Sequence, residues 1–278
     1  MNWSKAKTLT IIFLLILNAF LGVLVYRDSN KYNLDAKKAK AITDLLEKNS
    51  ISLSATIPKS YKPLRQLAMS AYEYETEEIL MMFFPNLHEI EQIYDIDKEV
   101  YAWADKTLTI QNGYISFENP SGTGENDLSK ESLTYACDEF LKTMNEDFSS
   151  FQLDNIIELG NGYLVQYFQE YKGYFIITNF VEFMVTEEGI IQIDCIYSKP
   201  VGFSGNPGEI CSPDEALLNV MQRIKSSSKG EEIEISRIDL VYSQEKNSQK
   251  AIPVYRVYVD ENQDPFFINA YTNTIFGA

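Results

Sequence analysis

The chain opens on an apolar run and then settles into alternating and helical patterns. Residues 8–26 are nineteen positions without a charge, dominated by Leu, Ile, Val and Phe, with Thr10 and Asn18 as the internal interruptions. At about 1.5 Å rise per residue, such a run just crosses a bilayer core of about 30 Å. A buried core helix of this length carries a polar face, and this one has none. Beyond it, Leu34, Ala41, Ile42, Leu45 and Leu46 recur near helical spacing, which predicts a helix over 27–48 continuing outward and ended by Asn49. Pro58 and Pro63 break that pattern. Residues 67–74 read as a strand, 77–84 as a short apolar segment stopped by Pro85, and 90–103 as one or two strands.

A strong local signal follows. Two alternating runs, 107–111 and 114–117, are joined by Asn112-Gly113, the pair that supplies positive φ at both centres of a type I′ turn. The loop 119–127 is rich in Gly and Asn and marks a boundary. After it one pattern occurs twice. The first copy is a helix over 129–146, whose Leu133, Ala136, Cys137, Phe140, Leu141 and Met144 form one apolar stripe. Four strand-like runs follow it, 151–159, 163–171, 174–185 and 190–197, divided by glycine turns. A Pro/Gly-rich linker, 199–208, leads to the second copy. There Ser212-Pro-Asp-Glu215 is a capping box with Pro at the first helical position, and Leu217, Val220, Met221 and Ile224 make the stripe. Runs at 232–242, 253–260, 266–271 and 274–276 complete it. Helix followed by an antiparallel four-strand meander, repeated, predicts an α+β fold in which helices cover one face of a sheet. The expected organisation is therefore 1–8 before the membrane, 9–26 as the transmembrane helix, 27–128 as stalk helix and first α+β region, 129–200 as the first helix and meander, and 201–278 as linker, second helix and meander.

Charge divides the chain. Residues 1–40 hold seven Lys/Arg and two Asp/Glu, while 41–278 hold 17 and 38. A domain this acidic repels nucleic acid and anionic lipid, so its neighbours are proteins, cations or neutral surfaces, and nucleic acid is not an expected partner. The acidity also serves simply to keep an exported domain in solution. The apolar run lacks a small-x-small cleavage site and no cysteine follows it, which favours a retained anchor in the bilayer over a signal peptide. A bare Lys/Arg count favours the C-terminal flank inside. A short N-terminus before a long domain is the layout of a signal anchor, and the expectation taken is N-terminus cytoplasmic, C-terminal domain extracytoplasmic.

Few residues invite chemistry. His88 is the single histidine, so neither a multi-histidine metal site nor a Ser-His-Asp constellation can be assembled. Ser226-Ser-Ser-Lys229 has S-x-x-K spacing but no accompanying S-D-N or K-T-G. Asp260, Asn262 and Asp264 fall at calcium-loop positions, yet Pro265 stands where glycine is needed. Cys137, Cys195 and Cys211 match no zinc spacing, and a Cys195–Cys211 bridge stays open. No catalytic residue, cofactor or metal is expected. The helix itself is the candidate site: Leu15, Asn18, Gly22 and Val25 share one face, where a polar and a small residue favour contact with another transmembrane helix, against the alternative of a passive anchor.

Three stretches carry a resemblance. Met1-Asn-Trp-Ser-Lys-Ala-Lys-Thr8, leading into Ile11-Ile-Phe-Leu-Leu-Ile-Leu-Asn-Ala-Phe-Leu-Gly22, resembles the start of the YycI (WalI) regulatory proteins of Gram-positive bacteria, which open Asp-Trp-Ser-Lys where this chain has Asn2. The linker Lys199-Pro-Val-Gly-Phe-Ser-Gly-Asn-Pro207 resembles that family too. Ile252-Pro-Val-Tyr-Arg256 and Phe267-Ile-Asn-Ala-Tyr-Thr272 are similar to the closing hairpin of PepSY-like and YycH-type domains. The resemblance implies a bitopic protein that acts with a YycH-like protein on the WalK (YycG) sensor histidine kinase governing cell-wall metabolism. It carries no catalytic set to transfer. The other readings are an anchored PepSY-like module that binds a peptide, a protease or a wall ligand, and an anchored wall hydrolase using two carboxylates.

Overall fold

The computed structural model describes residues 3–71, 75–125, 127–144, 146–227, 232–245, 248–259 and 265–276. The calcium-loop spacing at 260–264, Ser228 and Lys229 of the S-x-x-K stretch, residues 72–74 of the expected strand and the first two residues of the opening motif lie outside the described residues.

In chain order the helices are α1 (Trp3–Lys31), α2 (Ala36–Glu47), α3 (Thr76–Phe83), α4 (Lys130–Thr143) and α5 (Pro213–Ser227). The strands are β1 (Ile51–Leu53), β2 (Leu64–Ala71), β3 (Glu91–Tyr94), β4 (Glu99–Trp103), β5 (Lys106–Gln111), β6 (Tyr114–Glu118), β7 (Phe151–Leu159), β8 (Gly162–Tyr171), β9 (Tyr174–Thr186), β10 (Gly189–Ile196), β11 (Ser198–Gly208), β12 (Ile233–Gln244), β13 (Lys250–Val259), β14 (Phe266–Asn269) and β15 (Thr274–Phe276). The chain forms two compact units, the first of residues 1–64, 208–239 and 255–278, the second of 65–207 and 240–254.

In the first unit the outward helix does not run on to residue 48. It stops at Lys31, and Asn33 bridges to Ser60 in extended geometry. Asp35 then caps a separate α2, its carboxylate accepting from the Lys37 amide at 3.3 Å. An aspartate ahead of an amphipathic run is a good N-cap and a poor helix interior, so the break belongs there. Ile42 and Leu46 of α2 are buried, and α2 contacts β1 and α5. β1 runs parallel to the start of β12, with Ile51 opposite Ile233. Leu217, Val220, Met221 and Ile224 of α5 are all buried, and Glu215 Oε2 accepts from the Ser212 amide at 2.9 Å, which closes the expected capping box. β12 to β15 form the second meander: β12 neighbours β13, β13 neighbours β14, and β14 pairs antiparallel with β15.

The second unit holds the larger sheet. Its strand order is β11-β2-β13-β12-β9-β10-β6-β5-β4-β3, with β7 and β8 branching from β9. β7 to β10 are the predicted first meander, each consecutive pair antiparallel. Asn112 and Gly113 have φ of 50° and 81°, as the type I′ turn between β5 and β6 requires. Val165, Phe183, Ile193, Phe117 and Leu108 are successive cross-strand partners on one face, and all are buried. α3 and α4 cover that face with Ile79, Phe83, Leu133, Cys137 and Leu141, and the Phe83 and Phe117 rings sit 4.9 Å apart. Each such side chain contributes about 1.5–3 kcal/mol by leaving water.

Residues 199–208, expected as a linker, are instead the edge strand β11 beside β2. Pro200 and Pro207 cannot donate to a ladder, and an edge needs only one bonded side. Gly205 supplies the positive φ of 74° at which the strand bends. All three cysteines are free, so the Cys195–Cys211 bridge is not formed. Cys137 and Cys195 lie fully buried in the core of the second unit, and burial pushes the Cys137 thiol up to about 12.

Candidate functional site

Residues 7–25 of α1 are long and apolar enough to cross a membrane, and none of this span is buried by protein. Leu9 is 73 % exposed and Phe20 60 %. Side chains of this kind, stacked on every side of one helix, need an apolar solvent, and a bilayer supplies it. Leu15, Asn18, Gly22 and Val25 are all exposed on this helix, and a Cβ added at Gly22 would meet nothing within 4 Å. The proposed face is therefore free of contact with the rest of the chain.

Where α1 leaves this span it is fastened to the first unit. The Leu34 amide donates to the Lys59 carbonyl at 2.7 Å, and the Tyr61 amide donates to the Tyr32 carbonyl at 2.9 Å. The Tyr61 hydroxyl donates to the Lys31 carbonyl at 3.2 Å, and the Tyr32 and Tyr61 rings meet edge to face at 6.1 Å. Lys31 Nζ and the Tyr32 hydroxyl both donate to Glu209 Oε1 at 3.0 Å. Lys31, and then the Tyr32 hydroxyl, hold the Glu209 carboxyl below its ordinary range. These groups are exposed, so each polar contact is individually weak. Their joint effect is directional: backbone pairing replaces a loose linker between helix and domain. The long helix expected at 27–48 hid this clamp. Asp35, a cap residue in the middle of that run, was the signal that could have revealed it.

A second feature occupies the sheet face of the second unit opposite α3 and α4. Asn155, Gln166, Glu182, Asp194, Ser116 and Thr109 are successive register partners across six strands. Gln166 Nε2 donates to Glu182 at 2.8 Å, while the Tyr114 hydroxyl and Gln192 Nε2 donate to Asp194 at 2.6 and 2.7 Å. Burial raises the Glu182 carboxyl, the bond from Gln166 opposes this, and the charge of Asp194 adds to the rise. Like charges directly opposite on neighbouring strands are destabilising. Apolar pairs flank the row, Leu164 with Met184 on one side and Phe168, Phe180 and Ile196 on the other.

No catalytic constellation accompanies these features. His88 is an exposed residue whose amide donates to Asn86, and Ser226 Oγ donates to the Arg223 carbonyl at the end of α5. Among the described residues no group of three or more His, Cys, Asp or Glu side chains is placed to hold a metal ion. A depression of about 650 Å³ lies beside the β7–β8 turn, bordered by Pro120, Glu158, Tyr163, Glu187 and Glu188, without a nucleophile and base pair.

The fold has counterparts among solved structures. An uncharacterized protein from Eubacterium rectale superposes with a TM-score of 0.54 at 14 % identity, covering 82 % of this chain and 91 % of that one. The C-terminal domain of Bacillus megaterium YpeB gives a TM-score of 0.42 at 12 % identity, over 74 % of this chain and 96 % of that domain. YycH from Bacillus subtilis gives 0.48 at 13 % identity, over 76 % of this chain and 55 % of YycH. At such identities the likeness is one of fold. No curated protein matches in sequence. A family profile described as YycI protein matches residues 29–271, from the exit of the apolar helix to the closing hairpin. With the match running through both units, the chain belongs to the YycI family.

Proposed function

We propose that this protein is a membrane-anchored accessory regulator of the WalK (YycG) sensor histidine kinase, acting together with a YycH-like protein. The observation that carries the reading is the family match over residues 29–271. In this reading α1 spans the membrane with its N-terminus in the cytoplasm, and the two units lie outside. The face of Leu15, Asn18, Gly22 and Val25 packs against kinase helices, and the external units dock on the YycH-like protein. Regulation requires only that these contacts differ between two states of the kinase. The fastening of Tyr32 and Leu34 to residues 59–61 supports this arrangement, because a docked external unit then constrains the angle and rotation of α1, which a flexible stalk would not. No step of this mechanism needs a catalytic residue or a cofactor.

The test is purification of the full chain from membranes in mild detergent. Recovery of a sensor histidine kinase and a YycH-like protein in stable ratio supports the proposal, and their absence overturns it. A chain truncated after residue 40 then assigns the roles: persistence of wall-gene regulation places the activity in the helix, and its loss places it in the external units.

A further inference from the structure

We infer that the free edge of β3 is a strand-addition site for an extended partner segment rich in basic side chains. β3 ends the strand order of the second unit, and β4 is its neighbour on the one bonded side. Every residue of β3 is exposed. Ile93 is 49 % exposed, Tyr94 92 %, and Ile96 in the following turn 99 %. Isolated exposed apolar residues are ordinary, but three within four positions on an unpaired edge form a patch aligned with open backbone donors and acceptors.

The other free edges of this unit are blunted. β11 carries Pro200 and Pro207, and β7 is broken by a bulge between Leu153 and Asn155. β3 has neither device. What surrounds it is charge of one sign: Glu89, Glu91, Asp95, Asp97 and Glu99 stand against Lys98 alone. Lys98 lies 3.9 Å from Asp95, Trp103 Nε1 donates to Glu89, and the Tyr101 hydroxyl donates to Glu99. This charge selects the occupant. A second copy would bring the same carboxylates against one another in edge-to-edge pairing, which like charges on facing strands oppose. A segment alternating apolar and basic residues satisfies the open backbone, covers Ile93 and Tyr94, and neutralises the carboxylates. The inference stands apart from the proposed kinase regulation, since it concerns the chemistry of one edge and not the pathway.

The experiment is hydrogen–deuterium exchange on the full chain in detergent, with a capped peptide of alternating lysine and valine as probe. Saturating peptide is expected to slow exchange of the outward amides within residues 91–94 by about tenfold, roughly the effect of a ligand at ten times its dissociation constant. A glutamate–valine peptide should leave them unchanged. The Glu91→Lys/Asp95→Lys variant should lose the effect while keeping the wild-type melting temperature, since both side chains are exposed. Tyr94→Ser/Ile96→Ser should weaken the lysine–valine peptide by about tenfold through lost apolar contact. Protection elsewhere, equal protection by the acidic peptide, or none at millimolar peptide overturns the inference. So does protection that rises with protein concentration when no peptide is present, which would make the occupant a second copy.

Discussion

Arg256 offers a sharp test of the physical reading of the first unit. It is 1 % exposed, and its guanidinium grips Asp239 with two bonds, Nε to Oδ1 at 3.0 Å and Nη2 to Oδ2 at 2.7 Å. Asp239 Oδ2 is also 2.7 Å from Arg237, and both arginines lie over the Tyr258 ring at 5.2 and 5.5 Å. The two arginines differ in solvent: the side chain of Arg237 is 36 % exposed and that of Arg256 1 %. Removing one member of a buried pair costs about 3–5 kcal/mol, because the remaining charge stays out of water. Asp239 is 25 % exposed, so water partly compensates and the lower end applies, about 3 kcal/mol for Asp239→Leu. Arg237→Leu should cost about 1 kcal/mol or less. At about 2–4 °C per kcal/mol for a protein of this size, the expected losses are about 6–12 °C and at most about 4 °C. The double variant Asp239→Leu/Arg256→Met replaces the pair with apolar groups and should recover most of the loss, with a coupling of about 2 kcal/mol. Thermal unfolding of the full chain in detergent, followed by circular dichroism, measures all four. If Asp239→Leu melts with Arg237→Leu, or if the double variant loses the sum of its single changes, the pair is not a buried electrostatic unit.

Three further outcomes are expected. Asn18→Leu and Gly22→Leu should leave the protein in the membrane fraction but reduce kinase-dependent transcription and co-purification of the kinase; unchanged output would make α1 a tether. Because burial raises the folded-state carboxyl of Glu182, the folded chain holds that proton more tightly than the unfolded one, so the stability tied to it is full below the ordinary carboxylate range and lost as pH rises through the folded value. Glu182→Gln should therefore raise the melting temperature at pH 7 and lose that advantage at pH 4, and an equal gain at both would refute the titration. A Cβ at Gly162 would lie 2.3 Å from the Val185 carbonyl oxygen, so Gly162→Ala should cost about 1–3 kcal/mol through backbone displacement at the β7–β8 turn, read as a lower urea midpoint.

Much of this molecule is legible as pattern because its signals are local. The apolar run over 8–26, the Asn112-Gly113 turn, the Ser212–Glu215 box and the stripes of α4 and α5 each act within a few residues. The structure keeps every one of them. The two helix-plus-meander repeats follow, since hairpin neighbours pair along the chain. The failures are equally physical. Residues 199–208 contain two prolines and three glycines and so read as a linker. They form a strand because β2, some 130 residues earlier, offers one free side, and an edge strand needs no more.

Of the candidate site, the apolar helix and its Leu15, Asn18, Gly22 and Val25 face could be named from the sequence, since helical spacing alone places them together. The clamp at Tyr32, Tyr61 and Glu209 could not, because its members are 29 to 177 residues apart and meet only when the first unit has folded. The same holds for the Glu182–Asp194 row and the open edge of β3. Alternation says that such residues alternate faces, but strand order decides which strands are neighbours and which is last. The sequence by itself determined the elements, the anchor and the acidic character of the domain. Tertiary structure decided which carboxylates face one another, which edge stays open and how the helix is held, because those depend on contacts between residues that no local pattern brings together.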